Sequence, residues 1–264
     1  MLSSCLPSRN YTLNNINPSP APKQRVVSGQ AKSLSSPAPA CNDLKVPNPE
    51  DYATPSEYNK ATYIPHYTPG RTPRHVVIFE NGNLSGAGFG HKFARELVEH
   101  LSTEDVPVEV WAVDRRSNLL EKESVDMLKR FSHTPEKIVE YFLTNYGEPE
   151  GFTPKTRDEL KFLSCWGLDV YVNDLHEIVK HARSMVGEGG SVTLAGFSLG
   201  GYIEIAYTAR CFDPACSKIG ADFIDKLILL DVSPGVNLTV GTDNPPIGGF
   251  IGDLNDKLLR VFPS

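Results

Sequence analysis

The chain has 264 residues, of which 40% are hydrophobic and 22% charged, and a formal net charge of −6. That is enough chain for one large or two small domains with a sizeable core, while an acidic balance without a long Lys/Arg run leaves no electrostatic footprint for nucleic acid. No apolar stretch approaches the ~20 residues that a bilayer-spanning helix needs.

The N-terminal part is distinct in composition. Residues 1–42 carry Arg9, Lys23, Arg25 and Lys32 but no acid, the first being Asp43, and 11 of the 21 prolines fall within residues 1–69. A segment rich in Ser, Pro and Asn and poor in large aliphatics buries too little surface to fold alone, so residues 1–55 read as a disordered leader or linker. Three accounts fit it: an organellar import signal, a lipoprotein start at Leu2-Ser3-Ser4-Cys5 with a misplaced initiation, and an extension with no address. The compartment stays open, the cytoplasm included. Among the five cysteines, Cys211 and Cys216 suit either a small loop disulfide or, as the expectation adopted, two free thiols; no metal-ligand spacing appears.

Residues 56–264 read as the folded part. An irregular strand is expected near 62–67. Residues 74–79, Arg-His-Val-Val-Ile-Phe, suit a strand covered on both faces, ending in a glycine-rich loop over 80–88. A helix follows across 89–101, with Phe93, Leu97 and Leu101 on one face. Residues 106–113 make the next strand, closing at Asp114-Arg115-Arg116. The stretch 117–163 reads as a helical insertion, with pieces at 123–131 and 135–146 around a Gly/Pro-rich turn; a lid component and a packed excursion are the alternatives. An amphipathic helix over 170–185 leads to a short strand at 191–195. After the turn at 196–201 comes a helix over 202–210, with Ile203, Ala206 and Tyr207 on one face. Residues 226–231 form another buried strand, followed by a Gly/Pro-rich segment at 241–252 and a short helix at 253–261. Strands alternating with helices give an α/β fold: a mostly parallel sheet with helices on both faces. Reactive groups gather at the carboxyl ends of such strands, the edge that Ser198, the loop 81–88 and Asp114 share.

Gly196-Phe197-Ser198-Leu199-Gly200-Gly201, set between a strand and a helix, makes a nucleophile elbow. The turn lifts a serine hydroxyl above the strand ends, and its glycines are needed because a Cβ there would strike the neighbouring strand or helix. The plain alternative is a helix-capping serine in some other α/β protein. Together with residues 76–90, 110–116 and 166–170, the elbow resembles the α/β-hydrolase superfamily, in particular serine esterases and lipases, over about residues 74–235. The resemblance implies that Ser198 is the nucleophile and that the backbone N–H groups of Leu199 and Asn83 stabilise the oxyanion. It implies a small-molecule ester or acyl substrate, an acyl-serine intermediate and no cofactor.

The resemblance also implies the chain order serine, acid, histidine. Asp231, ending the strand after the elbow, is the acid candidate, with a turn-capping aspartate as the plain alternative. All seven histidines, at 66, 75, 91, 100, 133, 176 and 181, precede Ser198. His91 and His133 are weak candidates, and the base is left unassigned. Since 66 residues follow Ser198, the sheet is expected to be incomplete at the C-terminus. Loss of the base costs about 10⁶ in turnover in a related architecture, so the chain as given is expected to be close to inactive. The alternative is a non-catalytic pseudo-hydrolase binding a small acyl ligand or a partner protein; the oligomeric state is not legible.

Overall fold

The computed structural model describes residues 25–38, 48–83, 85–102 and 106–232. Among them one seven-stranded sheet runs through the molecule: β1 (Val27–Ser28), β2 (Lys32–Ser35), β3 (Lys60–Tyr67), β4 (His75–Glu80), β5 (Val108–Asp114), β6 (Ser191–Phe197) and β7 (Lys226–Leu230). The spatial order is β1-β3-β5-β4-β6-β7, with β2 also on β3. Strands β5, β4, β6 and β7 are parallel, whereas β3 runs antiparallel to β5. This is the mostly parallel sheet expected from the alternating elements, and parallel strands need covering on both faces. Period-two alternation provides it: Val76 and Ile78 enter one core with Trp111, Val192 and Leu194, while Val77 and Phe79 enter the other with Val108, Val110 and Ala195.

The first core is closed by α4 (Leu168–Val186) and α5 (Leu199–Ala209), the second by α1 (Ala87–Leu101). On α4 the buried row Val172, Leu175, Val179 and Ala182 repeats at three- and four-residue steps. On α1 the buried row is Ala87, Gly90, Ala94 and Val98, while Phe93 and Leu101 are partly exposed. The expected Phe93-Leu97-Leu101 face is thus displaced by one of small residues. The reason is close approach: a Cβ on Gly90 would lie 2.9 Å from the Phe79 ring. No described helix is long and apolar enough to cross a membrane.

Ordered structure reaches into the stretch 1–55. Strands β1 and β2 pair antiparallel with β3, Val27 opposite Tyr67 and Lys32 opposite Tyr63. Val26 joins the second core. Ser36 is buried; its hydroxyl donates to Asp174 Oδ1 at 2.5 Å, and its carbonyl accepts from Arg116 at 2.8 Å. Average composition over 55 residues conceals this, because a short arm needs no core of its own when an existing strand edge receives it. Residues 1–24 and 39–47 lie outside the described residues, as do the segment 241–252 and the helix expected at 253–261.

Within the stretch 117–163, α2 (Lys122–Arg130) and α3 (Pro135–Val139) are followed by a π-turn over Glu140–Thr144. Strand β7, expected to be buried, leaves Ile228 44% exposed, and among the described residues it pairs with β6 alone. The expectation of free thiols at Cys211 and Cys216 is corrected: the two form a disulfide across a separation of five residues. Asp213 organises the loop, accepting from the N–H groups of Ala215, Ser217 and Lys218. Replacing Cys211 by Ser is expected to lower the unfolding free energy by about 2 kcal/mol, the chain-entropy value for so short a loop. Equilibrium urea denaturation of the wild type and of Cys211→Ser, both without reductant, checks this, because Cys165 is also disulfide-bonded and reductant would act on both proteins.

Candidate active site

Strand β6 ends at Phe197 and α5 begins at Leu199, leaving Ser198 alone to turn the chain. It does so at φ 52°, ψ −119°, a conformation that costs a non-glycine residue of order 1–3 kcal/mol. Helix capping does not explain the strain, because the Ser198 side chain makes no cap hydrogen bond. The backbone holds the turn: Ser198 N–H donates to the Leu230 carbonyl at 3.0 Å, and the Ser198 carbonyl accepts from Gly201 N–H at 3.0 Å. Two glycines make room for it. A Cβ on Gly196 would lie 2.4 Å from Gly201 Cα, and one on Gly200 would lie 2.3 Å from the Glu80 carbonyl oxygen. The sequence reading of steric exclusion on both sides of the serine therefore holds in detail.

The glycine-rich loop reaches the same place. A Cβ on Gly82 would sit 3.1 Å from the Phe197 ring and 3.4 Å from Ser198 Cβ, so the turn 81–83 lies against the elbow. Arg115 fastens it. The buried guanidinium donates to Glu80 Oε1 at 3.0 Å, to the Asn81 carbonyl at 2.6 Å, to the Ser85 carbonyl at 3.1 Å and to the Gly82 carbonyl. Carbonyl oxygens facing a developing oxyanion would oppose it; here three of them are drawn onto one cation. The Asn81 side chain donates to the Val113 carbonyl at 3.0 Å. Asp114 accepts the Ala87 N–H at 3.1 Å, placing a carboxylate at the positive end of α1, although burial raises its carboxyl above the ordinary range.

Of the residues singled out from sequence, Ser198 is half-buried, Leu199 half-buried and Asn83 exposed on the turn beside the elbow. Asp231 is exposed, at φ 54°, between two residues that touch the elbow. Its predecessor Leu230 accepts the Ser198 N–H, and its successor Val232 fills the space beside Gly201. Among the described residues none of the seven histidines is hydrogen-bonded to Ser198. His66 Nε2 and His91 Nδ1 are 3.1 Å apart, with Ser28 Oγ 3.4 Å from the latter. His66 pairs with Val110, four residues before Asp114, which is ~13 Å down the strand from the carboxyl edge. His91 is thus committed to the far part of the sheet and not brought to Ser198. His75 meets Ser191 and His176 meets Tyr207, while His133 follows α2 in the helical excursion.

Sequence reasoning overlooked three members of the site. Arg115 had a signal: two arginines directly behind a strand that is otherwise apolar. Glu80 and Glu204 are buried carboxyls beneath the elbow, and Glu204 stands out as the one acid in the apolar run Tyr-Ile-Glu-Ile-Ala-Tyr. No group of three or more His, Cys, Asp or Glu that could hold a metal occurs among the described residues.

No family model and no curated protein matches the chain. Solved structures do. A candidate lipase from Sulfolobus solfataricus is 15% identical, with a TM-score of 0.42 over 87% of this chain and 54% of its own. A peroxisomal α/β-hydrolase of Saccharomyces cerevisiae is 14% identical, with a TM-score of 0.39 over 84% of this chain and 48% of its own. Esterase B from Lactobacillus rhamnosis is 11% identical, with a TM-score of 0.31 over 87% and 56%. The chain spans about half the length of the first two. The likeness is one of chain path, and no residue role passes across from it. The chain's own architecture is a mostly parallel sheet with helices on both faces and a strand–serine–helix turn at the carboxyl edge.

Proposed function

We propose that Ser198 is the nucleophile of a serine hydrolase acting on an ester or related acyl bond of a small molecule. The observation that carries this reading is the strained, uncapped serine with a glycine turn packed against its Cβ. Strain at a side chain that does nothing for the helix is the signature of a functional constraint. In the reaction, the Ser198 oxygen adds to the substrate carbonyl while its proton passes to a base. The N–H groups of Leu199 and Asn83 hold the resulting oxyanion, and loss of one such donor costs ~10²–10³ in turnover. The alcohol then departs with that proton, leaving an acyl-serine that water hydrolyses to the free acid. We assign Asp231 to orient the base, and the chemistry uses no cofactor. The helical stretch 117–163 is the part of the chain suited to cover the site as a lid.

A fluorophosphonate probe tests the proposal. Labelling mapped to Ser198 by peptide mass spectrometry, slow because no described histidine activates the serine, and lost in Ser198→Ala, is the expected result; folded protein that stays unlabelled sinks it. The second reading, a non-catalytic pseudo-hydrolase holding a small acyl ligand or a partner protein, is favoured by one observation: among the described residues no histidine is hydrogen-bonded to Ser198, and His66, His91, His75 and His176 have other partners. It predicts equal binding of a short-chain fatty acid to wild type and Ser198→Ala, without labelling of either.

A further inference from the structure

Glu204, one turn into α5, is fully buried, and neither carboxyl oxygen has a hydrogen-bond partner of good geometry among the described residues. It lies against the elbow: a Cβ on Gly196 would be 2.6 Å from its Oε2. Glu80, the last residue of β4, stands opposite Gly196 in register and is 2% exposed, with Arg115 as its ionic partner. Two buried carboxyls thus lie beneath the turn and act on each other through their charges, and Arg115 ties one of them, Glu80, to the loop. A lone carboxylate in such surroundings is so costly that the group is neutralised instead. Burial drives the Glu204 carboxyl well above the usual carboxylate range, and the Glu80 charge drives it further, with the Ala195 backbone offsetting only part. Glu80 itself is pushed up to about 7 by burial, against the pull of Arg115.

We propose that Glu80 and Glu204 together carry one proton, kept on Glu204, and one negative charge, kept on Glu80, and act as a positioning pair that keeps the Gly82 turn against Ser198. With the proton on Glu204, Glu80 carries one negative charge, Arg115 balances it, and the remaining guanidinium donors hold the carbonyls of Asn81, Gly82 and Ser85. Loss of the proton sets two negative charges on one cation, and the guanidinium is drawn off the loop. The surroundings favour retention. Asp114 on β5 and Asp174 on α4 add negative potential around Glu80. From β6 and β7 the neighbours of this end of α5 are uncharged, Gly196 and Leu229. Farther along, α4 presents His176, bonded to Tyr207, and Arg183 lies near that same tyrosine. The sign follows from linkage: the folded chain keeps a proton that the unfolded chain releases above the ordinary carboxylate range. Stability and loop order therefore fall as pH rises, until the folded protein also gives the proton up.

The positioning role rests on reading the 82–83 turn as the oxyanion side of the site; the retained proton does not. Infrared titration of the full chain should show a protonated carboxyl C=O band persisting at neutral pH and missing in Glu204→Gln. A wild-type spectrum without that band overturns the proposal, whatever the variant does. Amide hydrogen exchange of residues 81–86, corrected for intrinsic rates, should lose protection by up to about tenfold per pH unit as the proton leaves, the slope of one proton, and stay flat in Glu204→Gln. Equal slopes in the two proteins would end the positioning role. Fluorophosphonate treatment of the same samples separates the two readings, since absent labelling with band and slope intact defeats the hydrolase proposal alone.

Discussion

Replacing Arg116 with Ala should cost the fold about 3–5 kcal/mol, the usual cost of removing one member of a buried ion pair. The Arg116 side chain is wholly buried. Its Nε donates to Asp174 Oδ2 at 2.8 Å, and one terminal nitrogen reaches both the second Asp174 oxygen and the Ser36 carbonyl. Without it, the donor left to the Asp174 carboxylate among the described residues is the Ser36 hydroxyl. Burial already raises the Asp174 carboxyl, and hydrogen bonds from Arg116 are what oppose that rise. Equilibrium urea unfolding measures the loss. A change below about 1 kcal/mol, the scale of an exposed pair, would mean that water reaches this cluster. The same network predicts that a chain starting at residue 56 is unstable, since it lacks Ser36 and both strands covering β3.

Gly200→Ala should reduce fluorophosphonate labelling of Ser198 by about a hundredfold, the effect of displacing a reacting group by roughly 1 Å. The new methyl would lie 2.3 Å from the Glu80 carbonyl oxygen and 2.6 Å from that of Asn81. Both are backbone atoms at the root of the loop that Arg115 fastens, so no side chain can swing aside to absorb the clash. Overpacking of this kind costs about 1–3 kcal/mol in stability, so thermal melting should reveal a folded but weakened protein. An unaltered labelling rate would show that the loop and the serine are not mechanically joined. Ala at Gly88, where a Cβ meets nothing within 4 Å, serves as the control and should label normally.

Much of the fold was legible because parallel strands buried on both faces write themselves as uninterrupted apolar runs. Residues 74–79, 191–195 and 226–231 read as strands from such runs, although β7 leaves Ile228 exposed, and the elbow reads from glycines whose steric necessity the structure shows. What escaped reading depends on partners distant in sequence. Strands β1 and β2 have short, mixed sequences that acquire order only on the edge of β3. The packing face of α1 was misread because a larger side chain looks like the buried one until the helix is seen resting on Gly90 and Ala94. Glu80, Arg115 and Glu204 form a site only through the register of β4 with β6 and the placement of α5 beneath it. The serine was visible as a local pattern; its supporting charges are a property of the assembled sheet.

Ser36 and Asp174 are 138 positions apart in sequence, which sets an order of events during synthesis. The arm leaves the ribosome well before its anchoring partner on α4, Asp174, which follows 138 residues later. Contacts of such long range are slow to close and leave their surfaces bare in the meantime. Docking of the arm should therefore come late in folding, and until it occurs the open flank of β3 is where a chaperone would find the nascent protein.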